Sequence, residues 1–197
     1  MDADDFRRRL VPGADLRGIT FPAYDDLAGV DLHGADLRGA DLRAVSRYGD
    51  CNVELTNANL SGADLRGAWL GAPDFEGANL SGANLSGLDF RRTQFGEANF
   101  NRADLTGADL TGADLSQAVL TSADLRGANL AGAALPDLSA LDGARFDSST
   151  RWPRTIPAAN VNEADGTYVI TAPPPPAREP RRTRRGSPDE TRNSMTW

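Results

Sequence analysis

From Leu55 to Leu135 every fifth residue is Leu or Phe, seventeen times in succession. The pulse is clearest from Arg102 to Leu115, which reads RADLTGADLTGADL. A period of five matches neither the 3.6-residue turn of an α-helix nor the two-residue alternation of a flat strand. Two residues before the Leu or Phe there is usually a small residue, most often alanine, as at Ala58, Ala63, Ala68, Ala78, Ala83, Ala98, Ala103 and Ala108. Asp or Asn stands between them in most cases, and Gly commonly follows two places after. Ala and Leu two apart share one side of an extended trio, with the Asp or Asn pointing away. Gly then admits a turn that a residue with a Cβ would resist. Edges and corners of that length wind the backbone into a coil whose turns stack at the β spacing, about 4.8 Å.

The motif, A(D/N)LXX, resembles the repeat of the pentapeptide repeat family. The resemblance implies an all-β fold, a right-handed quadrilateral β-helix with four pentapeptides to the coil, and twenty residues between stacked positions. The register extends beyond the regular block with faults. Leu27, Leu32, Leu37 and Leu42 keep the phase, whereas Leu16 and Phe21 lie one residue out, which points to a one-residue insertion at Pro22. Leu141 and Phe146 resume one residue late, after Pro136. Counted together these give about six coils, near 30 Å of length. Between Leu42 and Leu55 the segment is three residues too long for two repeats and reads as a bulge over 43–54, carrying Arg47, Tyr48 and Asp50.

The expected organisation follows. Residues 1–10 form an N-terminal cap, with Phe6 and Leu10 turned onto the first coil, and the β-helix occupies 11–150. Residues 151–171 form a closing segment. Thr150-Arg151-Trp152-Pro153 resembles the end of many pentapeptide arrays, and the resemblance implies that Trp152, Ile156 and Phe146 cover the final Leu columns. A homodimer contact through that end is the alternative. TYVIT, residues 167–171, is read as one added strand. At Ala172 the composition changes to APPPPAREPRRTRRGSPDETRNSMTW. The prolines favour polyproline II, and the Arg-rich polar run cannot bury a core, so 172–197 is expected to be disordered.

Stacking residues twenty apart separates four faces. One carries Asn59, Asn79 and Asn99, an amide ladder able to hydrogen-bond along the axis. A second carries Asp64, Asn84, Asp104 and Asp124, and its neighbour Trp69, Asp89, Asp109 and Asn129, so acid is expected to gather on that side. Arg66 and Arg126 relieve the second face in part, and Arg91 its neighbour. The plain reading of a single Asp is that it solvates the repeat and favours the turn; recognition would depend on the array.

Net charge adds to this picture. The chain's formal charge is −7 over 197 residues, and all 21 of its basic residues are arginine. The acid lies in the repeats and the surplus arginine beyond residue 150. Such a body does not bind nucleic-acid phosphates by counterion release, so direct nucleic-acid binding is not expected; basic protein surfaces are its natural partners. Cys51 is the only cysteine, which excludes an intramolecular disulfide and a thiolate metal cluster. There is no apolar N-terminal run of signal-peptide length and no run long enough to span a bilayer, so the expectation is a cytoplasmic protein without membrane contact.

Nothing in the sequence composes a catalytic, metal or cofactor site. His33 is the only histidine and follows Leu32 at an outward corner, and Cys51 has no second histidine or cysteine to activate it. Binding is the better reading. Trp69 stands where the repeat asks for Asp or Asn, beside the acidic positions Asp64, Asp89, Asp104, Asp109 and Asp124; its alternative is a tolerated surface aromatic. Arg47 and Tyr48 in the bulge are further candidates, because irregular loops on rigid scaffolds often carry function. The resemblance implies one concrete form, a rod resembling B-form DNA that binds DNA gyrase and confers quinolone tolerance or self-protection. A second form makes the helix a handle for the tail, as in leader domains of ribosomally made peptide precursors. Arg181, Arg182, Arg184, Arg185, Met195, Thr196 and Trp197 would then be recognised, modified or cleaved by a partner enzyme. A structural repeat with no specific partner is the third.

Overall fold

The fold follows from how one pentapeptide satisfies its own backbone. In the computed structural model, which describes residues 6, 8–21, 27, 29–42, 55–70, 73–153, 160–164 and 166–171, the five amides from Asn59 to Ala63 all have acceptors. Asn59 N donates to Val30 O at 2.7 Å, Leu60 N to Asn79 O at 2.8 Å, and Gly62 N to Ser81 O at 2.8 Å. These three bonds run along the axis to the coils on either side. Ala63 N closes a four-residue turn on Leu60 O at 3.0 Å. Gly62 is the third residue of that turn with φ 65, while Ser61 is not at positive φ, the pattern of a type II turn. The fifth amide, Ser61 N, donates to the Asn59 side-chain Oδ1 at 3.3 Å. Every donor is paired within the repeat or with its axial neighbours, as a partly buried backbone requires.

Repetition of that unit gives four ladders of parallel β-bridges. The longest joins Asp15, Asp36, Asp64, Asn84, Asp104, Asp124 and Arg145. Next around the coil come Thr20, Asp41 and Trp69, and further along the same face Asp89, Asp109, Asn129 and Arg151. The third face joins Asp74, Gln94, Asp114 and Ala134, and the fourth Asp31, Asn59, Asn79, Asn99 and Val119. These are here called the Asp64, Trp69, Asp74 and Asn79 faces. Inside them, the Leu and Phe of successive coils form buried columns, with the residue two places earlier, mostly Ala, beside them. One stretch of the core is aromatic: Phe95 stacks on Phe75 with centroids 5.5 Å apart and meets Phe90 and Phe100 edge-on at 5.3 and 5.0 Å. The chain is thus a β-helical solenoid.

The ladders also calibrate the faults. Asp15 pairs with Asp36, a step of one residue more than twenty, in agreement with one inserted residue near Pro22. The larger fault needs correction. Asp36 pairs with Asp64 and Asp41 with Trp69, so Leu42 and Leu55 occupy consecutive sides of the winding. The segment therefore exceeds a single five-residue step by eight residues, and is not three too long for two steps. The hydrophobic phase could not reveal this, because any number of whole repeats fits a five-residue phase equally well. The 43–54 segment itself, with Arg47, Tyr48 and Cys51, lies outside the described residues.

At the start of the helix Phe6 is fully buried and meets Phe21 edge-on at 4.9 Å, with Leu10 packed against the same core. The other end is more elaborate than one added strand. A 3-10 turn, Leu138–Leu141, leads into β1 (Arg145–Asp147). Strands β2 (Asn160–Ala164) and β3 (Thr167–Thr171) follow, and the sheet order is β1-β3-β2, antiparallel throughout. Ile170 of β3 is buried, and Phe146 stands between Trp152 and Tyr168, with centroids 5.2 Å from each. Thr150 Oγ1 donates to Leu125 O at 2.9 Å, which ties the closing segment to the last regular coil.

Candidate binding surface

The outward Asp or Asn of each repeat has a structural task that periodicity alone did not disclose. Its Oδ1 accepts the amide two residues on, as Asp64 does from Arg66 N at 3.2 Å, Asp104 from Thr106 N at 3.0 Å and Asp114 from Ser116 N at 3.0 Å. Where a hydroxyl occupies that next position it bonds as well, Thr106 Oγ1 to Asp104 Oδ1 at 2.7 Å. This is the Asx-turn, and it explains why Asn serves as well as Asp. Asn79 Nδ2 also donates to Asn59 Oδ1 at 3.3 Å, and Asn59 Nδ2 to Asp31 Oδ1 at 3.0 Å, so the expected amide ladder is present in that part of its face.

Arginine two residues after Asp converts the same turn into an ion pair. Arg66 Nη2 lies 2.7 Å from Asp64 Oδ2, and the equivalent contacts of Arg17, Arg38 and Arg126 with Asp15, Asp36 and Asp124 are 2.6–2.7 Å. Arg17 and Arg38 reach along the axis too, to Asp36 at 3.6 Å and Asp64 at 3.7 Å, and Arg145 reaches Asp124 at 4.0 Å. On this face Asp15, Asp36, Asp64, Asp104, Asp124 and Asp147 stand against Arg17, Arg38, Arg66, Arg126 and Arg145. The expectation that acid gathers here is therefore corrected. The face is an alternating ladder, nearly neutral. Bonding to the guanidinium holds the Asp64 carboxyl below the ordinary range, and Asp15 is lowered to about 2 for the same reason. Burial pushes Asp124 up, yet hydrogen bonds from Arg126 outweigh it and the net shift is down.

The Trp69 face is similar. Arg91 pairs with Asp89 at 2.6 Å and reaches Asp109 at 4.0 Å. Trp69 itself is 60% exposed, in a rung where Trp69 N donates to Ala40 O at 2.8 Å, so its backbone obeys the repeat while its indole projects outward. Its accessibility agrees with an anchor and equally with a tolerated aromatic. His33, at an outward position, lies 2.8 Å from Asp31 Oδ1 through Nδ1.

Uncompensated acid lies on another face, away from the Asp64 and Trp69 ladders. The Asp74 face and the corner leaving it carry Asp74, Glu76, Glu97, Asp114 and Asp137, and no arginine among the described residues. Arg92 stands at the corner leading into it. Two residues after Asp74, Gln94 and Asp114 stand Glu76, Gly96 and Ser116, where the Asp64 and Trp69 faces place Arg38, Arg66, Arg91 and Arg126. The signal was available: among the Asp-x-Arg triplets of the repeat block, none falls in this phase. Phe146 and Trp152 pack against the core as described, whereas Ile156, Arg181, Arg182, Arg184, Arg185, Met195, Thr196 and Trp197 lie outside the described residues. Among the described residues no helix is long and apolar enough to cross a membrane.

Comparison with known proteins places this geometry in a family. No curated protein matches the chain. HetL, a pentapeptide repeat protein involved in heterocyst differentiation regulation from the cyanobacterium Nostoc, is 28% identical, with 73% of this chain and 92% of that one covered at a TM-score of 0.25. Full-length QnrB1, a plasmid-mediated fluoroquinolone resistance protein, is 21% identical, with 70% and 91% covered at 0.23. A protein of the Arabidopsis thaliana thylakoid lumen is 25% identical, with 67% and 79% covered at 0.23. Superpositions with such scores transfer no activity. The sequence model described as pentapeptide repeats matches in eight copies, over residues 26–45, 51–71, 58–96, 74–112 and 98–135, more than half of the chain. With the five-residue donor scheme and the four bridge ladders, that match settles the family: the chain belongs to the pentapeptide repeat proteins.

Proposed function

We propose that this chain is a non-catalytic, cytoplasmic protein-binding scaffold that presents its Asp74 face to a basic protein surface, with Trp69 on the adjoining face as an apolar anchor. One observation carries the reading: five carboxylates on and beside that face, Asp74, Glu76, Glu97, Asp114 and Asp137, have no arginine interleaved among the described residues, whereas on the Asp64 face Asp15, Asp36, Asp64 and Asp124 are each paired with arginine. A rigid, one-signed row attracts a complementary partner over several ångströms and fixes its register. An exposed indole beside it supplies the buried area that charge alone does not. The concrete form of this proposal is an acidic rod that occupies the DNA-binding surface of DNA gyrase, through the Asp74 face. Purified protein should inhibit gyrase supercoiling or protect gyrase from a topoisomerase poison, with the effect lost in an Asp74→Asn, Glu97→Gln, Asp114→Asn variant and kept in Asp64→Asn, Asp104→Asn. No effect of the parent protein removes the gyrase form. Capture of no basic protein from a lysate removes the scaffold reading itself.

A second reading, the helix as handle for a modified or cleaved tail, is favoured by the abrupt change at Ala172, immediately after β3 ends at Thr171. Intact-mass measurement of native protein decides it. Contact between two copies through the Phe146–Trp152 end, and recognition through Arg47 and Tyr48, are compatible with either reading.

A further inference from the structure

We infer that the Asp74 face is docked by the arginine-rich segment of this same chain, residues 178–185, so that the tail competes with any external basic partner. The inference rests on the reading of that face as the binding surface, and is tested below without a partner. Three observations lead to it. The first is complementarity. The tail holds Arg178, Arg181, Arg182, Arg184 and Arg185 within eight residues, opposed only by Glu179, and the Asp74 face holds carboxylates without interleaved arginine among the described residues. The other faces offer such a segment mostly carboxylates already bonded to their own arginines, as Asp36, Asp64, Asp89 and Asp124 are.

The second is where the tail begins. β3 runs antiparallel to β1, pairing Asp147 with Thr167 and Arg145 with Val169. It therefore travels back toward the residues that precede β1, with Gly143 N bonded to Ile170 O at 2.8 Å. Those preceding residues are the 3-10 turn Leu138–Leu141 and, just before it, Asp137 at the foot of the Asp74 face. The chain leaves the fold pointed toward that foot.

The third is reach. The ladder from Ala134 back to Asp74 is three axial steps, about 14 Å at the β spacing. The ten residues from Ala172 to Arg181 extend to about 31 Å as polyproline II, the conformation that Pro173 to Pro176 favour. Ten residues are therefore enough to bring Arg181–Arg185 alongside Asp114, Glu97 and Asp74. A tethered segment needs little intrinsic affinity, because its local concentration is in the millimolar range.

Docking of this kind is electrostatic and screened by salt. The test is trypsin cleavage within Arg181–Arg185 of the full chain, followed by mass spectrometry at low and high salt, beside a free peptide of residues 172–197 that reports trypsin's own salt response. Docking predicts cleavage at least several-fold slower in the protein than in the peptide at low salt, with the difference vanishing at high salt. Asp74→Asn, Glu76→Gln, Glu97→Gln and Asp114→Asn together should abolish the low-salt protection, and Asp64→Asn with Asp104→Asn should leave it intact. Equal cleavage of protein and peptide at low salt overturns the inference whether or not the variants fold. So does protection that increases with protein concentration, which would mean capture by a second copy. Protection present here with no external partner found would leave the docking standing and the scaffold reading failed.

Discussion

At the scale of the residue, each repeat is a small hydrogen-bonding problem with one side-chain contribution. Three amides bond axially, one closes the turn, and the last depends on Asp or Asn Oδ1. Asp104→Asn should therefore be nearly neutral in a denaturant melt. Asp104→Ala should lose about 0.5–2 kcal/mol, the range for removing a comparable backbone cap. Equal losses for both variants would show that charge and not the Asx bond is what matters. The glycines divide in a testable way. Gly82 sits at φ +65 with nothing within 4 Å of an added Cβ, so Gly82→Ala should cost about 1 kcal/mol from backbone strain. Gly77 has the same conformation, but a Cβ there would stand 2.3 Å from Asn57 Oδ1. Gly77→Ala should cost more, and when made in an Asn57→Ala background it should cost no more than Gly82→Ala, relative to Asn57→Ala alone, which carries its own strain at φ 57.

At the scale of the element, the Leu columns and the closing sheet differ in how legible they were. Leu105 is fully buried among its axial neighbours, and Leu105→Ala should destabilise by about 2–5 kcal/mol in the same melt. The fivefold phase revealed that column because burial and period are the same fact. The sheet order β1-β3-β2 was not legible. TYVIT carries the alternation of a strand, but Asn160–Ala164 reads NVNEA, with too few apolar residues to declare itself, and its partner strand positions it. Thr150 is another such case: its buried hydroxyl bonds Leu125 O across the fold, so Thr150→Val should cost about 1–3 kcal/mol where the sequence offers only a polar residue before Trp-Pro.

At the scale of the whole molecule, the ion-pair ladder makes stability depend on pH with a definite sign. Carboxyls such as Asp15, Asp64, Asp89 and Asp124 are held below the ordinary aspartate range by bonded arginines. The unfolded chain therefore takes up protons first as pH falls. Their stabilising contribution is complete above about pH 5, declines below the unfolded value near pH 4, and is lost as pH passes through the depressed native values. A series of thermal melts should show Tm level from pH 7 to 5 and falling from 4 toward 2, with a smaller fall in 1 M salt. The repeating part is written into the chain locally, since the inward Ala and Leu, the turn and the capped amide lie within five residues of one another. Which charges meet between coils depends instead on how the coils stack. Arg38 lies beside Asp64 because Asp36 stacks on a residue twenty-eight positions away, across a fault whose length the five-residue phase leaves open. That stacking adds axial contacts to the Asp-x-Arg pairs that the sequence already places on the Asp64 face.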